Sequence, residues 1–140
     1  VHTEIRSDGL KWWPDEPEHP AQRAFLDVVG DLSDYLNRTC YTGIRRSEFL
    51  FAVYPPGAHY ERHVDDFQHK NARKFSVITY LNREWVPGRG GDLVLYDANG
   101  EPRETIEPIY GRTVIFPSPD VEHEVLPAAA ERWSITGWLR

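Results

Sequence analysis

The sequence has one cysteine, Cys40, and no methionine. A single cysteine cannot form an internal disulfide framework, which is typical of a protein in a reducing compartment. The sequence also has no apolar run that predicts a membrane span and no visible secretory signal peptide. We therefore expect a cytoplasmic protein, or a nuclear one if the source is eukaryotic, with no membrane partner.

Basic residues are fewer than acidic ones, since 16 lysines and arginines against 22 aspartates and glutamates give a net charge of −6. A nucleic-acid-binding face needs clustered basic residues to neutralise phosphates, and here they are scattered along the chain. The composition therefore predicts no nucleic-acid partner. With 140 residues, of which 40% are hydrophobic, the chain is expected to form one domain with a sizeable core.

Hydrophobic periodicity predicts one helix followed by a series of short strands. From residue 21 to about residue 37 apolar side chains recur every three or four positions, and Pro20 suits the first helical turn. Gly30 inside this helix costs about 1 kcal/mol relative to alanine. Helix and strands together predict a mainly β fold of the double-stranded β-helix, or jelly-roll, type. Strands are expected at residues 2–6, 10–13, 48–54, 59–63, 74–81, 92–97, 103–106, 112–116, 122–126 and 132–139.

His63, Asp65 and His123 have the composition of an iron site. Two imidazoles and one carboxylate are the ligands of a facial triad, which holds Fe(II) on one side and leaves its other positions open for substrate and O₂. Residues two apart on a strand point to the same face, so His63 and Asp65 would both reach one metal, with His123 arriving on a neighbouring strand. A surface pair of His63 and Asp65, with His123 capping a turn, is the alternative interpretation of these residues alone.

Arg132 begins a predicted strand on which every second side chain shares its face. That face continues with Ser134, Thr136 and Trp138. A charge followed by small hydroxyls is costly to bury unless an anion lies beside it. A planar guanidinium suits bidentate capture of a carboxylate such as the distal carboxylate of 2-oxoglutarate. Tyr80 could donate a second hydrogen bond to that carboxylate, although a half-buried strand tyrosine is the commoner role.

Seven segments of the chain together resemble one known family. These are residues 8–12, 54–57, 60–65, 80–85, 90–93, 123–125 and 132–138. They are similar to the 2-oxoglutarate- and Fe(II)-dependent prolyl hydroxylases related to those acting on hypoxia-inducible factor, including bacterial relatives. The resemblance implies a 2-oxoglutarate-dependent dioxygenase that 4-hydroxylates a prolyl residue of a protein substrate, such as a transcription or translation factor. Fe(II) would be its metal, 2-oxoglutarate and O₂ its cosubstrates, and ascorbate its reductant, with succinate and CO₂ as co-products.

The resemblance also implies a role for individual residues. His63, Asp65 and His123 would ligate iron, and Arg132 would pair with the distal carboxylate of 2-oxoglutarate. The positions that would bind or enclose the cosubstrate are Tyr54, Ile78, Tyr80, Leu93, Val125, Thr136 and Trp138. The positions that would face the protein substrate are Trp12, Tyr54 and Arg73, although a solvated surface arginine is an equally good interpretation of Arg73.

Two residues exclude particular relatives of this family. Asp65 argues against halogenating relatives, which lack the carboxylate ligand, and Arg132 argues against collagen-type hydroxylases, which use a lysine there.

Two segments do not match the family. The family's mobile finger loop would precede residues 5–8, so a start at Val1 predicts a domain, residues 1–140, that lacks the N-terminal part of a longer protein. Residues 66–73 are expected to border the substrate. An oxygenase of small molecules or of another side chain, and a non-catalytic jelly-roll binding module, remain as alternatives.

Overall fold

The computed structural model describes residues 9–66 and 72–140. The strand expected at residues 2–6 and the segment 5–8 lie outside the described residues, as does most of the stretch 66–73. No helix in the described part of the chain combines the length and the apolar composition needed to cross a membrane.

One helix and nine strands make up the described secondary structure, which confirms the mainly β prediction. The elements are β1 (Gly9–Trp12), α1 (Pro20–Cys40), β2 (Ser47–Tyr54), β3 (Tyr60–Val64), β4 (Phe75–Tyr80), β5 (Leu93–Tyr96), β6 (Pro102–Ile106), β7 (Thr113–Pro117), β8 (Glu122–Val125) and β9 (Arg132–Leu139). The strands form a major sheet, in the order β1-β2-β9-β4-β7, and a minor sheet, in the order β3-β8-β5-β6. Every pairing is antiparallel.

The helix α1 begins where the sequence predicts and ends three residues later than predicted. His19 caps its N-terminus by accepting a hydrogen bond from the backbone N–H of Ala21 at 3.1 Å. The expected end near Asn37 is wrong, because the polar residues after it lack the apolar spacing but contain no helix breaker. The helix stops after Cys40, where Tyr41 takes the left-handed conformation (φ 54°) that commonly ends a helix.

Side chains of the major sheet alternate between two hydrophobic layers, because successive residues of a strand point to opposite faces. One layer fills the space between the two sheets, and the other packs the major sheet against α1. The residues between the sheets include Leu50, Tyr54, Ile78, Leu93, Phe116 and Trp138. The residues facing the helix include Val29, Phe49, Val77, Ile135 and Leu139. The layer between the sheets is the one into which the candidate site opens.

Gly137 leaves room for the ring of Phe49, its partner on the neighbouring strand β2. We expect Gly137→Ala to destabilise the fold. A Cβ at this position would lie 2.2 Å from Cδ1 of Phe49 and 2.3 Å from the carbonyl oxygen of Glu48. The overpacking should lower the free energy of unfolding by about 1–3 kcal/mol. The matched control is Gly30→Ala, because a Cβ at Gly30 meets nothing within 4 Å. That change should raise the stability by about 0.5–1 kcal/mol. Chemical denaturation of both variants measures the difference, and a Gly137→Ala variant as stable as the wild type would contradict this account.

Candidate active site

His63, Asp65 and His123 converge at one end of the minor sheet. Strands β3 and β8 pair so that His63 lies directly opposite His123. Asp65 does not share the strand with His63, as the two-residue spacing suggested, because β3 ends at Val64 and Asp65 lies in the turn that follows. Its Oδ1 nevertheless lies 3.0 Å from Nε2 of His63 and 3.2 Å from Nε2 of His123. One ligand atom from each residue falls within 4.8 Å of the other two, which is a geometry that can hold a metal ion.

Backbone carbonyls fix the orientation of both imidazole rings. Nδ1 of His63 lies 2.6 Å from the carbonyl oxygen of Glu61, and Nδ1 of His123 lies 3.1 Å from that of Val121. A carbonyl oxygen only accepts hydrogen bonds, so both Nδ1 atoms carry a proton, and both Nε2 atoms point at Asp65, where a metal would contact them. The ring of Tyr60 also stacks on His63 at 3.7 Å with an interplanar angle of 8°. Tyr60 was not predicted as a site residue, although its place on β3 was available from the sequence.

The second oxygen of Asp65 is held by two donors. Oδ2 accepts a hydrogen bond from Oγ of Ser76 at 2.6 Å and another from Nε1 of Trp138 at 3.1 Å. Burial raises the pKa of Asp65, but the charges and hydrogen bonds of His123 and His63 outweigh burial and hold that pKa well below its usual value. The carboxylate is therefore ionised at neutral pH, as a metal ligand has to be. Ser76 was not predicted as a site residue.

Arg132 lies in the same pocket, buried from solvent with only 2% of the residue exposed. Its Nε donates to the carbonyl oxygen of Gly91 at 2.7 Å, and its Nη2 donates to the hydroxyl of Tyr80 at 3.4 Å. The rings of Tyr54 and Tyr80 lie 5.1 Å and 5.0 Å from the guanidinium carbon. Gly91 has a φ of +72°, and a Cβ there would lie 3.2 Å from Cδ of Arg132, so glycine allows this close approach of the backbone.

No carboxylate forms a salt bridge with Arg132 within the ranges 9–66 and 72–140. A buried guanidinium without an acidic partner is costly, and a bound anion would compensate it. Burial raises the pKa of Tyr80, although the charges of Arg132 and Arg112 oppose that rise. The phenol is therefore protonated at neutral pH, and while its oxygen accepts from Arg132 its own O–H can donate to an anion.

The pocket between the sheets is lined by ten of the thirteen predicted site residues, whereas Tyr80, Trp12 and Arg73 lie outside its lining. The expected face of β9 is confirmed, because Arg132, Ser134, Thr136 and Trp138 all line this pocket. The complete lining is Tyr54, Tyr60, His63, Asp65, Ile78, Leu93, His123, Val125, Arg132, Ser134, Thr136 and Trp138. A set of metal-binding atoms and a buried cation thus share one small cavity with apolar walls.

Comparison with known proteins shows which family has this pocket of metal ligands and a buried arginine. The family model described as the 2OG-Fe(II) oxygenase superfamily matches residues 49–140. The chain belongs to the 2OG-Fe(II) oxygenase superfamily. Members of this superfamily use Fe(II), 2-oxoglutarate and O₂, and the donor set of His63, Asp65 and His123 fits Fe(II), since mixed imidazole and carboxylate ligands suit that ion.

Several 2OG-Fe(II) oxygenases that act on prolyl groups are similar to this chain. A prolyl-4-hydroxylase of Pseudomonas putida is 39% identical with a TM-score of 0.93, and the match covers 100% of this chain and 75% of that one. A prolyl hydroxylase of Trichoplax adhaerens, solved with a peptide of the hypoxia inducible factor oxygen degradation domain, is 31% identical with a TM-score of 0.86, covering 96% and 63%. The human prolyl hydroxylase EGLN3 is 35% identical over 96% of this chain. The chain spans 33% to 58% of the length of the curated relatives it matches.

Two residues expected near the substrate lie beside the oxygenase pocket, outside its lining. Trp12 is half exposed on the edge strand β1, with its ring centroid 6.0 Å from that of Trp138. Arg73 is not a solvated surface arginine, so that interpretation is wrong. Its Nε donates to Oε1 of Glu48 at 3.0 Å, and its guanidinium lies 3.7 Å from the centre of the Trp138 ring. Arg73 therefore packs over the same indole that donates to Asp65.

Proposed function

We propose that this protein is an Fe(II)- and 2-oxoglutarate-dependent dioxygenase that 4-hydroxylates a prolyl residue of a protein substrate, with succinate and CO₂ as co-products. The observation that carries the proposal is a shared pocket that is lined both by the triad, whose Asp65 is ionised, and by the buried Arg132, which forms no salt bridge with a carboxylate of the described residues. A molecule that chelates a metal at one end and carries a carboxylate at the other satisfies both groups, and 2-oxoglutarate has that structure. The similarity to prolyl hydroxylases supports a prolyl target.

Each group of the pocket has a separate task in this proposal. His63, Asp65 and His123 would hold Fe(II), which supplies the oxygen-activating redox chemistry when it is bound. Arg132 binds the distal carboxylate with two parallel N–H donors and so fixes the orientation of the cosubstrate. The phenol of Tyr80 adds a third donor.

Apolar side chains exclude water from the space between these polar ends. Ile78, Leu93 and Val125 are buried at 7%, 0% and 7% exposure and line the pocket. Their burial strengthens the attraction between Arg132 and a carboxylate, because the surroundings have a low dielectric constant. Oγ of Ser134 and Oγ1 of Thr136 lie 3.0 Å apart on the same wall, which leaves hydroxyls for a water or a cosubstrate oxygen.

Turnover of 2-oxoglutarate tests the substrate class. We expect succinate formation to be stimulated by proline-containing peptides and not by the same peptides with alanine in place of proline. Mass spectrometry of the stimulated peptide should show a gain of one oxygen on proline. Stimulation by free proline or another free amino acid, without stimulation by peptides, would instead favour an oxygenase of small molecules. Iron binding without 2-oxoglutarate turnover under any of these conditions would favour a binding module.

We propose ascorbate as the reductant that maintains Fe(II). Ascorbate should prolong turnover without being consumed in proportion to the peptide product. We also propose a cytoplasmic or nuclear location, which the single exposed cysteine supports. A transcription or translation factor is the kind of protein substrate that we propose.

Tyr80→Phe should weaken 2-oxoglutarate binding about tenfold or more, because a hydrogen bond to a charged group contributes about 1.5–3 kcal/mol. Iron affinity should not change, since Tyr80 contacts Arg132 and none of the triad. The matched control is Tyr96→Phe, which removes a hydroxyl that donates to Glu124 on the minor sheet away from the pocket. Anaerobic titration of the iron-loaded variants with 2-oxoglutarate measures the difference. Equal affinities in the two variants would contradict the role given to Tyr80.

A further inference from the structure

Two buried serines connect the candidate metal ligand Asp65 to the major sheet. Ser76 and Ser118 are both 0% exposed, and their hydroxyl oxygens lie 2.9 Å apart. Ser76 belongs to β4, and Ser118 directly follows the neighbouring strand β7. Buried hydroxyls need hydrogen-bond partners, and this pair reaches one through Oδ2 of Asp65.

The direction of the hydrogen bonds follows from the number of protons. A serine hydroxyl has one proton, and Ser76 donates it to Oδ2 of Asp65 at 2.6 Å. Ser118 must therefore be the donor in its contact with Ser76. The result is an ordered series in which Ser118 donates to Ser76 and Ser76 donates to Asp65.

The backbone of Ser118 adds two further links to the same region. Its carbonyl oxygen accepts from the N–H of Asp66 at 3.4 Å, and its own N–H donates to the carbonyl oxygen of Lys74 at 3.1 Å. Ser118 thus contacts both the turn that carries Asp65 and the start of β4. It also lies five residues before His123 in the segment that leads into β8.

Asp65 needs this support because it lies in a turn and not in a strand. A carboxylate that rotates freely can bind a metal through both oxygens and so occupy a position that a facial triad leaves open. In this structure Oδ1 faces the two Nε2 atoms, whereas Oδ2 is held by Ser76 and Trp138. The two oxygens therefore have separate partners before any metal binds.

We propose that Ser76 and Ser118 are positioning residues that hold Oδ2 of Asp65, so that the carboxylate binds the metal through Oδ1 alone. This inference rests on the proposed function, because it takes Asp65 as a metal ligand. Removal of a residue that hydrogen-bonds to a metal ligand typically lowers metal affinity about 10–100-fold. We expect an effect of about this size here.

The experiment is a titration of the metal-free protein with Mn(II), in which the electron paramagnetic resonance signal reports free ion. We expect Ser76→Ala to weaken Mn(II) binding about 10–100-fold and Ser118→Ala to weaken it less, in the same direction. Ser76→Thr keeps the hydroxyl and should restore most of the affinity. The matched control is Thr79→Val, which removes a hydroxyl pair with Thr113 (2.8 Å) between the same two strands, away from Asp65.

The visible spectrum of the Co(II)-loaded protein gives a second reading that stability alone would not change. We expect the spectrum of Ser76→Ala to differ from the wild type, because the carboxylate changes its mode of binding, and the spectrum of Thr79→Val to match the wild type. If Ser76→Ala does not fold, Ser118→Ala decides the question with the same two measurements. Wild-type Mn(II) affinity in folded variants of both serines would overturn the positioning role alone. A wild-type protein that binds no metal would overturn it together with the proposed function.

Discussion

Asp65→Ala is expected to abolish 2-oxoglutarate turnover. The change removes one of three metal ligands and also leaves the donors of Ser76 and Trp138 without their acceptor. Removal of groups behind a ligand already weakens metal binding about 10–100-fold, so loss of the ligand itself should exceed about 100-fold. His63→Ala should have an effect of the same order, because His63 supplies a second ligand atom to the same cluster.

Anaerobic titration with Fe(II) and 2-oxoglutarate measures this effect directly. The wild type should develop the weak visible charge-transfer band of chelated 2-oxoglutarate, and folded Asp65→Ala should not. Asp31→Ala is a suitable control, since it removes an exposed aspartate on α1 and should leave the band unchanged. A folded Asp65→Ala variant with the wild-type band and wild-type succinate formation would show that the carboxylate is not a ligand.

Arg132→Met is expected to weaken 2-oxoglutarate binding by about 30-fold or more, while metal affinity stays close to that of the wild type. Truncating one partner of a buried charge pair costs about 2–5 kcal/mol, and each 1.4 kcal/mol is tenfold in affinity. The metal site should survive because Arg132 contacts Gly91 and Tyr80 and none of the three candidate ligands. Arg132→Lys keeps the charge but loses the planar pair of donors, so its affinity should fall between those of the wild type and Arg132→Met.

The stability of the cosubstrate-free protein is an internal control for Arg132→Met, because it should stay the same or rise while the affinity for 2-oxoglutarate falls. Arg132 is buried with no salt bridge in the described part of the chain, so an apolar side chain of similar length should make the cosubstrate-free protein equally or more stable. Thermal unfolding in the absence of 2-oxoglutarate measures this. Arg132→Met with wild-type cosubstrate affinity would show that the carboxylate is bound elsewhere.

Much of the pocket could be predicted because strands have a simple periodicity. The alternation along residues 132–138 placed Arg132, Thr136 and Trp138 on one face, and the structure has them lining one pocket. The expectation that a third ligand, His123, would lie on a strand next to that of His63 also agrees with the structure. Fold class and the apolar stripe of α1 rest on the same kind of local pattern.

Contacts between distant segments could not be predicted in the same way. The alternation that places Tyr80 also places Ser76 on the same face, but the hydrogen bond from Ser76 to Asp65 depends on the turn that follows β3. Arg73 reaches Glu48 across 25 positions of sequence, and no periodic pattern reports that pairing. Such contacts depend on strand register and turn geometry, which single residues do not determine.

The division of the pocket between two sheets has a mechanical consequence. His63 and His123 belong to the minor sheet, whereas Arg132 belongs to the major sheet. A diacid held by the metal site at one end and by the guanidinium at the other would therefore also cross-link the two sheets. Saturation at about 100 times the dissociation constant adds about 2.7 kcal/mol of stability by mass action. Because the link joins the sheets, that gain should appear as slower hydrogen exchange in both β3 and β9, so binding would tighten the contact between the two sheets and product release would loosen it.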